Sequence, residues 1–292
     1  MSRLDSTFAA PQPNAEPRLV TFLTAGDPDL PRSEELLVAL DAAGAAVLEI
    51  GVPFSDPLAD GPVIQRSTSR ALRTGTTLAH SIDLARRVRR RARAPIVLFT
   101  YVNPILRFGL DRFAGEAAGA GVDGVLVLDL PLEEAGRLRD RVSGSGLDMI
   151  FLVAPTTGSE RIRRADALGA GFLSAISRLG VTGARESLAE GIRVLVERIR
   201  AQSRLPVAVG FGISHPDHVR EVTRWGDAAV VGSSLVRLVE EHAGDARLVE
   251  AVHDHARWLL TGRQPPRLPS LSAPAESAAT RPADVPARRE RR

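Results

Sequence analysis

Cysteine is absent from this chain of 292 residues, and so is lysine, since all 38 basic residues are arginine. The first absence excludes disulfides and thiolate chemistry. The second excludes any mechanism that forms a Schiff base on a lysine. Long apolar runs are missing too: no stretch approaches the ~18 residues that a membrane span needs. The start, MSRLDSTFAAPQPN, lacks the apolar core of a secretory signal. The expectation is a cytoplasmic protein with no membrane contact. Of the six histidines, His215/His218 and His253/His255 resemble metal pairs, but neither pair has a third ligand nearby in sequence, so no metal is expected.

Acids and bases nearly balance, at a formal net charge of +3, and the excess is confined to one end. Residues 263–292 hold seven arginines against three acids, with six prolines and little that is apolar. That composition predicts a disordered tail. The preceding 262 residues then carry net −1, so the basic isoelectric point does not describe the folded part, and nucleic-acid binding by it is not expected.

From residue 18 onward, short apolar runs alternate with amphipathic helical patterns. The runs are Arg18 to Leu23, Val47 to Gly51, Ile96 to Tyr101, Gly124 to Leu128, Met149 to Val153, Phe172 to Ile176, Val207 to Gly210 and Ala228 to Val231. Between them lie helical patterns such as Ser33 to Ala43, Thr77 to Ala92, Leu110 to Gly119, Ser159 to Leu168 and Ser234 to His242. Strands apolar on both faces, each followed by a helix, predict an α/β protein folded as a single-domain (β/α)8 TIM barrel over residues 1–262 with a short N-terminal extension.

In such a barrel the chemistry collects where the strands end. The second strand and its loop, LEIGVPFSDPLADGPVIQ, carry Glu49 inside an otherwise apolar run and Asp60 in a loop shaped by Pro53, Pro57 and Pro62. A buried, unpaired carboxylate costs several kcal/mol, so Glu49 is expected to serve chemistry rather than stability. Desolvation should raise its pKa and make it a proton donor, whereas Asp60 in a polar loop should stay ionised. Other polar or strained segments fall on the same rim: Tyr101-Val102-Asn103-Pro104, Asp129-Leu130-Pro131, Pro155-Thr156-Thr157 and the long loop Ser177 to Arg185, which reads as a lid.

Strand 7 ends Gly210-Phe211-Gly212 and strand 8 ends Val231-Gly232-Ser233-Ser234 just before a helix. Glycines let backbone N–H groups approach an anion, and a helix N-terminus adds the favourable end of its dipole. The loops after strands 7 and 8 commonly hold phosphate in barrels. Gly183 in the lid is a further possible donor.

The motifs LEIGVPFSDPLADGP, TYVNP, DLPLEEA, LVAPTT, SRLGVTG, VAVGFGIS and VVGSS, in that order from about Val20 to Val239, resemble the tryptophan synthase α subunit. The resemblance implies a lyase that cleaves indole-3-glycerol phosphate to indole and glyceraldehyde 3-phosphate by a retro-aldol reaction, without cofactor or metal. It implies that Glu49 and Asp60 are catalytic and that Thr182 is the lid residue that meets the loop aspartate. Gly183, Gly212, Gly232 and Ser233 would hold phosphate, while Phe22, Ile64, Phe99, Tyr101 and Leu126 would surround the indole ring. A tryptophan synthase β subunit is the implied partner, in an α2β2 heterotetramer, docking around Pro53 to Pro62 and Leu179 to Glu186.

One position departs from the family. Where a tyrosine is usual late in strand 6, this chain has Ser174, which leaves a smaller side chain in the indole pocket and room for a water beside Glu49. Two alternatives stay open on the sequence: a free-standing indole-glycerol-phosphate lyase of secondary metabolism, and a weakly active barrel that acts mainly as an allosteric activator of a β subunit. A class I aldolase is excluded by the missing lysine, and a phosphosugar isomerase is disfavoured by the Glu49 to Asp60 motif.

Overall fold

The computed structural model describes residues 1–10, 16–176, 185–210 and 212–263, with the backbone alone for 185–190. Thr182, Gly183 and residues 264–292 lie outside the described residues, and the readings of a lid and a disordered tail fall there. Eight parallel strands close on themselves in chain order: β1 (Leu19–Thr24), β2 (Val47–Gly51), β3 (Ile96–Thr100), β4 (Gly124–Val127), β5 (Asp148–Val153), β6 (Leu173–Ile176), β7 (Val207–Gly210) and β8 (Ala228–Val231). The ring is sealed by β1 pairing with β8, Val20 opposite Val230. Every residue of β1 and β2 is buried, as strands covered by helices outside and by side chains inside must be.

Two layers fill the barrel. The lower one is apolar and holds Val20, Val47, Val97, Leu126, Ile150, Phe172, Ala208 and Ala228. Below it the helix α1 (Arg3–Ala9) plugs the barrel, placing the fully buried Leu4 in this cluster and Phe8 at 5.4 Å from Phe172. A Ser2–Asp5 capping box starts the plug, and Arg3 pins it to Asp123 at 2.8 Å. With the floor closed, only the upper layer is open to solvent, at the C-terminal ends of the strands.

The outer helices are α2 (Leu30–Ala42), α3 (Pro62–Arg73), α4 (Leu78–Arg89), α5 (Val102–Phe108), α6 (Leu110–Gly119), α7 (Ala135–Gly144), α8 (Ser159–Leu168), α9 (Arg185–Arg200), α10 (Pro216–Val222), α11 (Ser233–His242) and α12 (Leu248–Thr261). Four helices exceed the pattern read from the sequence: α1, α3, α5 and α12. Helix α3 was hidden because it buries Ser67, Thr68 and Ala71 rather than large apolar residues, with Ser67 bonded to Thr24 at 2.6 Å. Helix α5 carries Pro104 near its start, where no intrahelical N–H is needed. Helix α2 starts at Leu30 rather than at Ser33 because Asp29 caps it, accepting from the Arg32 N–H at 2.8 Å.

An ion network ties α3 to its neighbours. Arg70 grips the buried Asp27 through two bonds of 2.7 and 2.9 Å and reaches Glu240 of α11 at 2.7 Å, while Arg66 holds both oxygens of Glu240 at 2.8 Å. Helix α3 follows the Asp60 loop, and α11 begins at Ser233. The network therefore fixes the two rim segments that flank the mouth. Among the described residues no helix is long and apolar enough to cross a membrane.

Candidate active site

The upper layer takes one residue from each strand or its end: Phe22, Glu49, Phe99, Leu128, Leu152, Ser174, Gly210 and Val230. They floor a cavity of about 290 Å³ whose rim is completed by Ala59, Asp60, Gly61, Ile64, Ile176, Gly212, Ile213, Gly232 and Ser233. Phe22 and Phe99 meet edge to face at 5.0 Å and form one wall. Gly51 makes this possible, since a Cβ there would stand 2.5 Å from the Phe22 ring.

Glu49 is the third residue of β2 and faces inward, 1% exposed, with no hydrogen-bond partner for its Oε1 among the described residues. Burial alone pushes its carboxyl up to about 8. At neutral pH the group therefore carries a proton that it can give to something placed in the cavity. An uncharged acid of this kind is stable enough to sit among Phe22, Phe99 and Leu128, where a carboxylate would be costly.

Asp60 lies at the end of the β2–α3 loop, half-buried on the same cavity. Its Oδ2 accepts from the Tyr101 hydroxyl at 3.0 Å, and that hydroxyl also accepts the Ala59 N–H at 3.2 Å. Burial, followed by the negative charge of Asp60, raises the Tyr101 phenol above its ordinary range, so it remains a donor. The Gln65 side chain donates to the Asp60 carbonyl at 3.0 Å and closes the loop onto α3. The two carboxyl groups thus occupy contrasting surroundings, one in an apolar floor and one in a hydrogen-bonded rim.

At the ends of β7 and β8 the cavity is lined by backbone suited to an anion. Gly232 is the N-cap of α11 and Ser233 its first residue, so the N–H groups of this turn have no acceptor within the helix. Gly212, with φ of +79°, turns the β7–α10 loop toward the same space in a conformation other residues rarely adopt. No arginine is among the cavity's described lining residues, and the N–H groups and dipole at the start of α11 suit an anion.

The structure therefore brings Phe22, Glu49, Asp60, Ile64, Phe99, Ser174, Gly212, Gly232 and Ser233 to one cavity. Two expected pocket residues stand elsewhere. Tyr101 sits behind the Asp60 loop against Phe54, at 5.1 Å between rings. Leu126 is fully buried in the lower layer, because side chains two residues apart on a strand occupy successive layers; Leu128 holds the cavity position instead. Leu152 was likewise missed, although the same alternation from Ile150 points to it.

A closed barrel with a protonated glutamate, a rim aspartate, an aromatic wall and a backbone anion cradle defines an acid–base enzyme for a substrate that is apolar at one end and anionic at the other. Comparison with known proteins gives the particular family. Residues 8–258 match the family model for the tryptophan synthase alpha chain. The tryptophan synthase alpha chain of Geotalea daltonii is 50% identical over 244 residues, covering 84% of this chain and 92% of that one. Among solved structures, tryptophan synthase subunit alpha from Legionella pneumophila str. Paris aligns with a TM-score of 0.82 at 33% identity, over 90% of this chain and 100% of that one. A chain of the tryptophan synthase complex from Pyrococcus furiosus aligns with a TM-score of 0.77 at 38% identity, over 83% and 97% of the two chains. The protein belongs to the tryptophan synthase alpha chain family. It is a lyase of tryptophan biosynthesis that cleaves indole-3-glycerol phosphate to indole and glyceraldehyde 3-phosphate. Neither alternative left open by the sequence finds support in these relatives.

Proposed function

We propose that Glu49 and Asp60 divide the cleavage between them. The indole ring lies against Phe22 and Phe99, and the phosphate rests on the N–H groups of Gly212, Gly232 and Ser233. Protonated Glu49 gives its proton to the ring carbon that bears the glycerol chain, and the positive charge that develops at the ring nitrogen is met by the Asp60 carboxylate. The Glu49 carboxylate so formed then takes the proton of the hydroxyl on the adjacent carbon. The carbon–carbon bond breaks, its electron pair returns to the ring, and indole and the aldehyde leave. Glu49 ends protonated as it began, so no other acid or base is needed. The observation that carries this reading is the buried Glu49 Oε1, unpartnered among the described residues, on a cavity that also holds Asp60.

The same reading includes a β subunit as partner in an α2β2 assembly, working in the cytoplasm. Membership of the family supports it, as does the apolar surface that the barrel leaves in solvent: Leu58, in the Asp60 loop, is 89% exposed, and Leu106, on α5, is 62% exposed. Leu58 falls within the Pro53 to Pro62 segment that the resemblance gives as a docking region. Incubating the purified protein with indole-3-glycerol phosphate should release indole, and a tryptophan synthase β subunit should co-elute with it on a sizing column. Absence of indole would overturn the catalytic reading, and separate elution would overturn the assembly.

A further inference from the structure

We infer that Ser174 is a specificity-determining residue whose hydroxyl recognises the second, non-reacting hydroxyl of the glycerol chain of the substrate. The inference rests on the reading of the cavity given above and adds to it a partner for an atom of the substrate that Glu49, Asp60 and the anion cradle leave unmatched.

Topology places Ser174. In a ring of eight strands closed in chain order, β2 and β6 lie four places apart whichever way one counts, so Ser174 faces Glu49 from the opposite wall. Both belong to the upper layer and line the same cavity. The neighbours of β6 fix what lies on each side of it. Ser174 is in register with Leu152 of β5, part of the apolar floor, and with Ala208 of β7, the strand that ends in Gly210 and leads to the Gly212 cradle. Ser174 thus marks the boundary between the apolar half of the cavity and the anion half.

The substrate has its own boundary there. Its indole ring and its phosphate are joined by a chain with two hydroxyls. The one next to the ring gives up its proton as the bond breaks, and the other lies one carbon nearer the phosphate. With the ring on the aromatic wall and the phosphate on the glycines, the reacting hydroxyl is near Glu49, and the second is presented toward the β6 side.

The chemistry of Ser174 fits that position. It is 4% exposed, and among the described residues no side chain or backbone group forms a hydrogen bond with its hydroxyl. A buried hydroxyl without a partner is costly, whereas one that opens on a cavity can be satisfied by the ligand. A serine hydroxyl both donates and accepts, as an alcohol partner requires. Among the described lining residues beside it, Leu152, Ile176 and Gly210 have no side-chain donor or acceptor that could do the same.

The test compares two ligands in the wild type and in Ser174→Ala. Indole-3-glycerol phosphate carries both hydroxyls, and indole-3-propanol phosphate keeps the ring and the phosphate but neither hydroxyl. A neutral hydrogen bond to substrate predicts that Ser174→Ala lowers kcat/KM for the natural substrate about tenfold. Inhibition by the propanol phosphate should change by less than about twofold, which also shows that the variant is folded. An unchanged kcat/KM, or equal weakening toward both ligands, would overturn the assignment. Failure of the wild type to cleave the substrate would instead remove the reading on which it rests.

Discussion

The Tyr101 hydroxyl donates to Asp60 Oδ2 at 3.0 Å while accepting the Ala59 N–H at 3.2 Å, so a single side chain from the end of β3 holds both the carboxylate and the backbone of its loop. Tyr101 is the only tyrosine of the chain. Its ring is buried against Phe54, which keeps the hydroxyl at the height of the loop rather than in the cavity. One group thus fixes the carboxylate and the backbone beside it.

Tyr101→Phe removes that pair of bonds and keeps the ring. A hydrogen bond to a charged group contributes roughly 1.5–3 kcal/mol. Indole release should therefore fall by about ten- to a hundredfold in kcat/KM, with the fold retained by circular dichroism. Asp60→Asn should be impaired at least as much. A Tyr101→Phe enzyme indistinguishable from wild type would show that the Asp60 loop is held by other contacts.

Glu49 links catalysis to stability through pH. Its folded-state pKa, about 8, lies above the ordinary carboxyl value of 4.5. Folding therefore retains a proton that the unfolded chain loses, so this group's contribution is fully favourable below about pH 4.5 and declines as pH rises toward 8. Glu49→Gln cannot ionise and escapes the loss. The difference in Tm between Glu49→Gln and wild type should move in favour of the variant between pH 5 and 8, by a few °C or more, and then level off. A difference that stays constant over this range would mean that the carboxyl is not protonated in the folded protein.

The Asp27–Arg70–Glu240 network is the part of the barrel where a charge is most deeply committed. Arg70→Met leaves Asp27, whose side chain is 3% exposed, buried without its cation. Removing one member of a buried pair costs about 3–5 kcal/mol. Removing Arg112, which meets Glu116 on an exposed face of α6, should cost under about 1 kcal/mol. Urea unfolding of both variants checks this, and equal midpoints would refute the assigned difference.

The sequence made the barrel legible because strand and helix patterns differ in period and in length, and eight apolar runs in a row leave few other topologies. Helix α3 escaped because Ser67, Thr68 and Ala71 bury a small-residue face that does not read as hydrophobic periodicity. Glu49 and Asp60 could be read because a carboxylate inside VLEI and another in a proline-bounded loop are costly placements that need a reason. The height of a side chain within the barrel was less accessible: Leu126 and Leu128 differ only in layer, and layer depends on how far the strands are sheared. The role of Tyr101 as a loop clamp required knowing that residues 59 and 101 meet, which no local pattern encodes.

The central claim is that the proton on Glu49 starts the cleavage. It is tested most directly by measuring indole released from saturating indole-3-glycerol phosphate by wild type and Glu49→Gln at neutral pH. The account predicts a fall in kcat of about a hundredfold or more, as expected for loss of a general acid–base group, with binding of indole-3-propanol phosphate retained. Turnover by Glu49→Gln close to that of the wild type would contradict it.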